Sequence, residues 1–264
     1  MSFQGYLAQH GLQASQTASY ISVNTRSGLD SQLAAHDTMV FRLGASGQGN
    51  TAFALVKGAP GGIGDFFLDT GPLAAQGPTR TFLPETAVRD LFPYFLIGGG
   101  LTEGSLVNFA FASGALPWAL GLDRRDGSPA PAKGNGGYSF GVRPHSRCAA
   151  TLPHNQGQVD VDAAFLGRRG GREVLFVLEA KCSEERDPLA KHKLVYPILA
   201  LSARVPADIP IVPLYLRVWA GRDALGYELA ECAFPDPRSG RPPGVDELAV
   251  ERVVRFSVPM LSLP

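Results

Sequence analysis

The chain has little cysteine and little lysine. Its three cysteines, Cys148, Cys182 and Cys232, are odd in number and far apart. No C-x-x-C pair and no His/Cys cluster at zinc spacing is present, which excludes a disulfide framework and a structural zinc site of the usual kind. Reduced thiols fit a cytoplasmic protein. No apolar run approaches the length of a membrane span, and Met1–His10 lacks the basic and apolar regions of a secretory signal. Net charge is also missing: 24 Lys+Arg balance 24 Asp+Glu. That argues against binding nucleic acid by bulk charge, though not against a local basic face.

What is present is apolar content and chain breakers. Hydrophobic residues make up 45% of the 264, enough for a substantial core. With 31 Gly and 21 Pro, long uninterrupted helices are not expected, and many turns and strands are. Thr38–Leu43 and Thr51–Lys57 read as a hairpin within a small β-rich region over residues 1–80. The glycine-rich Gly58–Gly64 is followed by too short a segment to be the phosphate loop of a nucleotide site, so it reads as a turn. From Pro84 to Leu120 the pattern is helical, with Val88, Leu91, Phe92, Phe95 and Leu96 at helical spacing and Thr102 as the N-cap of a second helix. Strands are expected over 138–142, 157–165, 173–180, 209–219, 225–234 and 253–258. A helix is expected over 187–204, with Asp187 as N-cap, Pro188 at the first position and Pro197 as a kink. From the helices near 84–120 onward the order is α-β-β-β-α-β, an α/β fold.

Two neighbouring segments carry chemistry: Gln158-Val159-Asp160-Val161-Asp162 and Leu175-Phe176-Val177-Leu178-Glu179-Ala180-Lys181. Strand alternation puts Asp160 and Asp162 on one face, and Glu179 and Lys181 likewise. Between them Gly167–Gly171 is a plausible hairpin turn. A turn centred near Arg169 sets Asp160 opposite Glu179 and Asp162 diagonal to it, yet a shift of a residue or two reverses this. Either aspartate is close enough to share a divalent ion with Glu179. Glu179 ends an apolar run, so its carboxylate is expected to be buried, and a cation would offset the repulsion among these acids. An acid two residues before a lysine is by itself a weak signal. Its weight comes from the apolar strand, the aspartate pair on the preceding strand and the helix that follows.

Asp162 followed by Glu179-Ala180-Lys181 resembles the PD-(D/E)xK nuclease superfamily, in particular its type II restriction-endonuclease-like members, whose core order is also α-β-β-β-α-β. Thr102–Gly114, Gln158–Asp162, Lys193–Pro197 and Glu231–Pro237 look similar to one restriction-type subgroup. The resemblance runs from about residue 100 to 240 and assigns 81–264 to a nuclease domain. It implies a mixed central sheet flanked by helices, Mg²⁺ as cofactor with Mn²⁺ as a substitute, double-stranded DNA as substrate and a homodimer with one active site per chain. In its pattern the second acid of the acid-x-Asp strand is the metal ligand. That favours Asp162, with Asp160 in a supporting role. Glu179 and the Ala180 carbonyl complete the ligand set, and Lys181 orients or deprotonates the attacking water. The proline that often precedes the metal-binding Asp is replaced by Val161.

Lys191 or Lys193 on the following helix is a candidate for a DNA phosphate, against a plain solvated helix face. Arg124, Arg125, Lys133, Arg143 and Arg147 are candidates for holding phosphates or reading guanine edges, against ordinary surface arginines. His145, His154 and His192 are isolated and read as structural. A repair or recombination nuclease of the same fold, and a non-catalytic DNA-binding module, are the alternative readings.

Overall fold

The computed structural model describes residues 3–11, 20–46, 51–69, 71–74, 77–85, 102–123 and 131–259. The helix read around Val88–Leu96 lies outside these residues. Nine strands form one mixed sheet: β1 (Thr38–Ala45), β2 (Thr51–Lys57), β3 (Arg80–Thr81), β4 (Ala132–Val142), β5 (Leu152–Arg169), β6 (Arg172–Cys182), β7 (Ile211–Ala220), β8 (Ala224–Ala233) and β9 (Ala249–Pro259). The helices are α1 (Phe3–His10), α2 (Ser31–Ala35), α3 (Gly71–Ala74), α4 (Glu103–Ala112), α5 (Ala115–Leu120) and α6 (His192–Ser202). Among the described residues no helix is long and apolar enough to cross a membrane.

The order across the sheet is β2-β1-β5-β6-β7-β8-β9-β3, with β4 paired to β5 off this path. β4, β5 and β6 run as an antiparallel meander, while β6 and β7 are parallel. A parallel pair needs a crossover, which the segment carrying α6 supplies. From α4 to β7 the element order is therefore α-α-β-β-β-α-β. The central strands β6 and β7 are covered on both faces, which is why Val174–Leu178 reads as a continuous apolar run rather than an alternation.

Two hydrophobic clusters lie on opposite faces. Leu106, Phe109, Phe111, Leu116 and Leu120 of α4 and α5 pack with Phe165, Phe176, Leu178 and Leu216. On the other face Leu194, Val195 and Leu199 of α6 pack with Tyr215 and with Leu7, Met39, Phe41 and Phe66. Residues of the 1–80 region thus contribute to the same core as α6. β1 reaches β5 at Gly44 and Asn155. A Cβ on Gly157 would lie 2.5 Å from the Gly44 Cα, so the two backbones meet there only as glycines.

Thr102 caps α4 as expected, its hydroxyl accepting from the Ser105 amide at 3.2 Å. The expected start of α6 is corrected. The helix begins at His192, not Asp187, and its N-cap position is Lys191. The Asp187 carboxylate instead accepts from the Ser27 amide at 3.1 Å and from the Ser27 hydroxyl, tying the N-terminal region to the segment before α6. Pro197 lies within α6, which continues to Ser202. The Gly58–Gly64 segment is a turn closed by the Gly62 amide on the Ala59 carbonyl at 2.7 Å.

Candidate active site

The β5–β6 hairpin closes on a two-residue turn, Gly170-Gly171, with φ of +59° and +79°. Such a turn needs positive φ at both central positions, and glycine supplies it. Both turn amides donate to the Asp123 carboxylate, at 3.1 and 2.9 Å. The ladder then pairs Arg169 with Arg172 and ends with Ala163 opposite Leu178. This register is shifted from the one expected from a turn at Arg169, and it ends one pair short of Asp162 and Glu179. The Ala180 amide donates to the Asp162 carboxylate at 2.9 Å.

The two aspartates line different hollows. Between Ala132 and Gly134 the β4–β5 register slips, so that Lys133 alone stands against both Asp162 and Ala163. This is a β-bulge, which interrupts alternation and re-aims side chains. Asp162 lines a small hollow of about 40 Å³ with Glu103, Asn108, Lys133 and Ala180. Asp160 lines a separate cleft of about 300 Å³ beside α6, where it accepts from the Gln158 amide group at 3.0 Å.

Glu179 is 3% exposed. Its carboxylate lies 3.0 Å from the Lys181 ammonium and 3.4 Å from that of Lys193, so two cations offset it. Burial pushes its pKa above the usual glutamate value despite both lysines. For Lys181, burial alone would lower the pKa. The Glu179 carboxylate and its hydrogen bond, with Glu103 and Asp162, outweigh burial and hold it above the ordinary lysine value. The Lys181 ammonium also donates to the Ala180 carbonyl at 2.8 Å and lies 3.8 Å from Glu103.

Among the described residues no group of three His, Cys, Asp or Glu side chains stands at metal-binding spacing. The donors that converge here are two carboxylates and one main-chain carbonyl, from Asp162, Glu179 and Ala180. They surround a cation, the Lys181 ammonium, that bonds to Glu179 and Ala180 and feels the charge of Asp162. Hard oxygen donors around a positive charge suit Mg²⁺ or Mn²⁺. An ion bound there would compete with Lys181 for the Ala180 carbonyl.

The other sequence candidates divide. Lys133 is exposed and borders the Asp162 hollow. Lys193 joins the cluster as a partner of Glu179 rather than as a free cation. Lys191 is buried, its ammonium donates to the Asp246 carbonyl at 2.8 Å, and burial lowers its pKa. Arg143 pairs with Glu247 at 2.8 Å with little of its side chain exposed. Arg147 is exposed and lies outside both hollows. Arg124 and Arg125 fall outside the described residues.

Glu103 escaped the sequence reading. Its carboxylate accepts from the Cys182 amide at 3.3 Å and faces Lys181. In the sequence it is an ordinary first-turn acid behind an N-cap threonine, which helix-end electrostatics alone explains. Arg217 was missed as well. Opposite Lys181 on β7, it bonds Glu228 at 2.7 Å and donates to the carbonyls of Ser183, Glu184 and Glu185. It thereby holds the loop that leaves the strand directly after Lys181.

Residues 85–241, more than half of the chain, match a family described as a domain of unknown function, DUF6997. The chain belongs to that family. No curated protein and no solved structure matches the chain. The DUF6997 span includes Glu103, Lys133, Asp162, Glu179, Ala180, Lys181 and Lys193, the whole of the cluster described above. It excludes β1 and β2, whose side chains form part of the core beneath α6.

Proposed function

We propose that this chain is a Mg²⁺-dependent DNA endonuclease of type II site-specific character, acting as a homodimer on double-stranded DNA. The observation that carries the reading is the convergence of Asp162, Glu179, the Ala180 carbonyl and Lys181 where β5 and β6 lie side by side. The element order α-β-β-β-α-β with β6 parallel to β7 supports it, as the order of the restriction-endonuclease-like core.

Asp162, Glu179 and the Ala180 carbonyl would hold the metal. Bound there, it would supply Lewis-acid activation of water and would neutralise phosphate charge. The chain's own contribution follows from its charges. Lys181 keeps its proton at neutral pH, because its pKa is held above the ordinary lysine value. Lys181 stabilises the negative charge that builds on the scissile phosphate, and orients the attacking water or helps to deprotonate it. Water adds to phosphorus, the bond to one ester oxygen breaks, and that oxygen takes up a proton. Lys133, exposed at the rim, supplies a phosphate contact that fixes the strand. A palindromic site requires two such centres related by a two-fold axis, hence two chains.

Incubation of supercoiled plasmid with the purified protein, with Mg²⁺ and with EDTA, tests this. Discrete fragments that appear only with metal support a site-specific enzyme. A smear, or cutting of branched DNA alone, points to a repair nuclease. DNA binding without cutting points to a non-catalytic module.

A further inference from the structure

An open sheet edge presents a row of main-chain donors and acceptors that can pair with another chain. Folded proteins guard such edges with very short strands, lysine, proline or bulges. The edges of this sheet are guarded unequally. β3, at one end, is two exposed residues long and carries Arg80. β4, off the main path, carries Lys133 and three glycines, Gly134, Gly136 and Gly137, which weaken a strand. β2, at the other end, runs for seven residues, Thr51-Ala52-Phe53-Ala54-Leu55-Val56-Lys57. Among the described residues it pairs with β1 alone.

β2 carries none of the usual guards. It has no proline and no acidic residue. The register slip between Arg42 and Ala45 sets two β1 residues against one of β2, so the bulge belongs to β1 and β2 itself is regular. Its one charged residue, Lys57, stands at the strand end, and its ammonium turns back to the His36 carbonyl at 2.6 Å. Ala52, Phe53, Ala54 and Val56 pack on the core beneath α6, which holds the strand in place, while Leu55 is 47% exposed.

The sequence of β2 is also its own complement. An antiparallel pairing about a two-fold axis at Ala54 sets Phe53 opposite Leu55 of a second copy, Ala52 opposite Val56 and Thr51 opposite Lys57. Every residue of the strand finds a partner, no like charges meet, and the exposed Leu55 gains an aromatic neighbour. An interface in which one patch meets itself is what a two-fold homodimer requires.

We propose that β2 is a dimer interface, where two copies of the chain join their sheets edge to edge, β2 antiparallel to β2. The inference rests on the reading above for the existence of a homodimer and for no step of the chemistry. A seam of two strands is a small interface, so the dimer dissociates on dilution.

Sedimentation velocity of the purified full chain over a range of concentrations, without DNA, tests this. The wild type should be a reversible dimer. Leu55→Lys changes an exposed side chain, so the fold is kept, and it should weaken the dimer by about tenfold or more. Leu83→Lys removes a leucine that is 67% exposed just after β3, and should leave the dimer unchanged. Amide hydrogen exchange separates main-chain pairing from side-chain contact: residues 51–57 should exchange more slowly at concentrations where the wild type is dimeric. A wild-type dimer that Leu55→Lys does not weaken, or whose 51–57 amides exchange as fast as in the monomer, overturns the proposal and leaves the homodimer reading standing. A wild type that is monomeric at every concentration overturns both, while metal-dependent cutting of plasmid still decides the chemistry by itself.

Discussion

The Asp162 carboxylate accepts a hydrogen bond from the Ala180 amide at 2.9 Å, across the two strands that carry the candidate chemistry. This bond links a β5 side chain to the β6 backbone immediately beyond the last ladder pair, Ala163 with Leu178. It fixes one carboxylate beside Glu179 without any contribution from Asp160, which lies in the neighbouring cleft.

The two aspartates should therefore respond differently to substitution. In Asp162→Asn the amide oxygen still accepts from Ala180, so the fold is kept while the charge is lost. Cleavage should be absent at every Mg²⁺ concentration. Asp160→Asn should keep most of the activity, because its carboxylate lines the neighbouring cleft and bonds Gln158 rather than any candidate ligand. Cleavage rates across a metal titration give the comparison, and the reverse ranking would assign the ligand role to Asp160.

Glu179 should make stability depend on pH. Its folded pKa is raised above the ordinary glutamate value by burial, so the folded protein binds this proton more readily than the unfolded chain does. That contribution is fully present below the unfolded value and is lost as pH rises through the folded value. Between the two, wild-type protein should gain stability on acidification relative to Glu179→Gln, which has no such proton to bind. Thermal melts of both proteins in metal-free buffer, from about pH 4 to 8, test the sign. Parallel curves would contradict it.

The hairpin turn sets the register that brings the Asp162 side chain to the Ala180 amide, so its glycines should be intolerant. Gly170→Val or Gly171→Val forces a β-branched residue to positive φ and should cost roughly 1–2 kcal/mol. Gly170→Asn should cost less, because asparagine adopts this conformation in such turns. Urea denaturation at fixed pH measures both.

Glu228 has no exposed side-chain surface and pairs with Arg217 at 2.7 Å and Arg255 at 2.8 Å. Glu228→Ala leaves the buried Arg217 uncompensated and should cost about 3–5 kcal/mol. Because Arg217 also holds the carbonyls of residues 183–185, the loop after Lys181 should become more susceptible to limited proteolysis. Unchanged proteolysis would mean that the loop is held by other contacts.

Much of the sheet was legible in the sequence, because the strands carry their own signals. The apolar run ending at Glu179, the Thr38–Leu43 and Thr51–Lys57 hairpin and the Thr102 cap all depend on local patterns, and all are present. The misreadings share one physical origin, a local signal with a non-local use. Asp187-Pro188 has the composition of a helix start, but the carboxylate bonds Ser27, 160 residues away in sequence. Gly167–Gly171 contains three glycines around two arginines, so several turn centres fit, and Asp123 contacts settle which pair occupies the turn. Asp160 and Asp162 line different hollows, and a period of two gives no warning of it. Glu103 reaches the cluster only because α4 packs against the sheet near Lys181, a contact that no short window contains.

The central claim is that Asp162, Glu179 and Lys181 act together on a phosphodiester. It is tested most directly by the rate at which purified protein nicks supercoiled plasmid in Mg²⁺, with wild type, Glu179→Ala and Lys181→Met side by side. Wild type should cut only with metal and neither variant should cut, with DNA binding retained in Glu179→Ala. Equal cutting by all three proteins, or no metal-dependent cutting by the wild type, would contradict it.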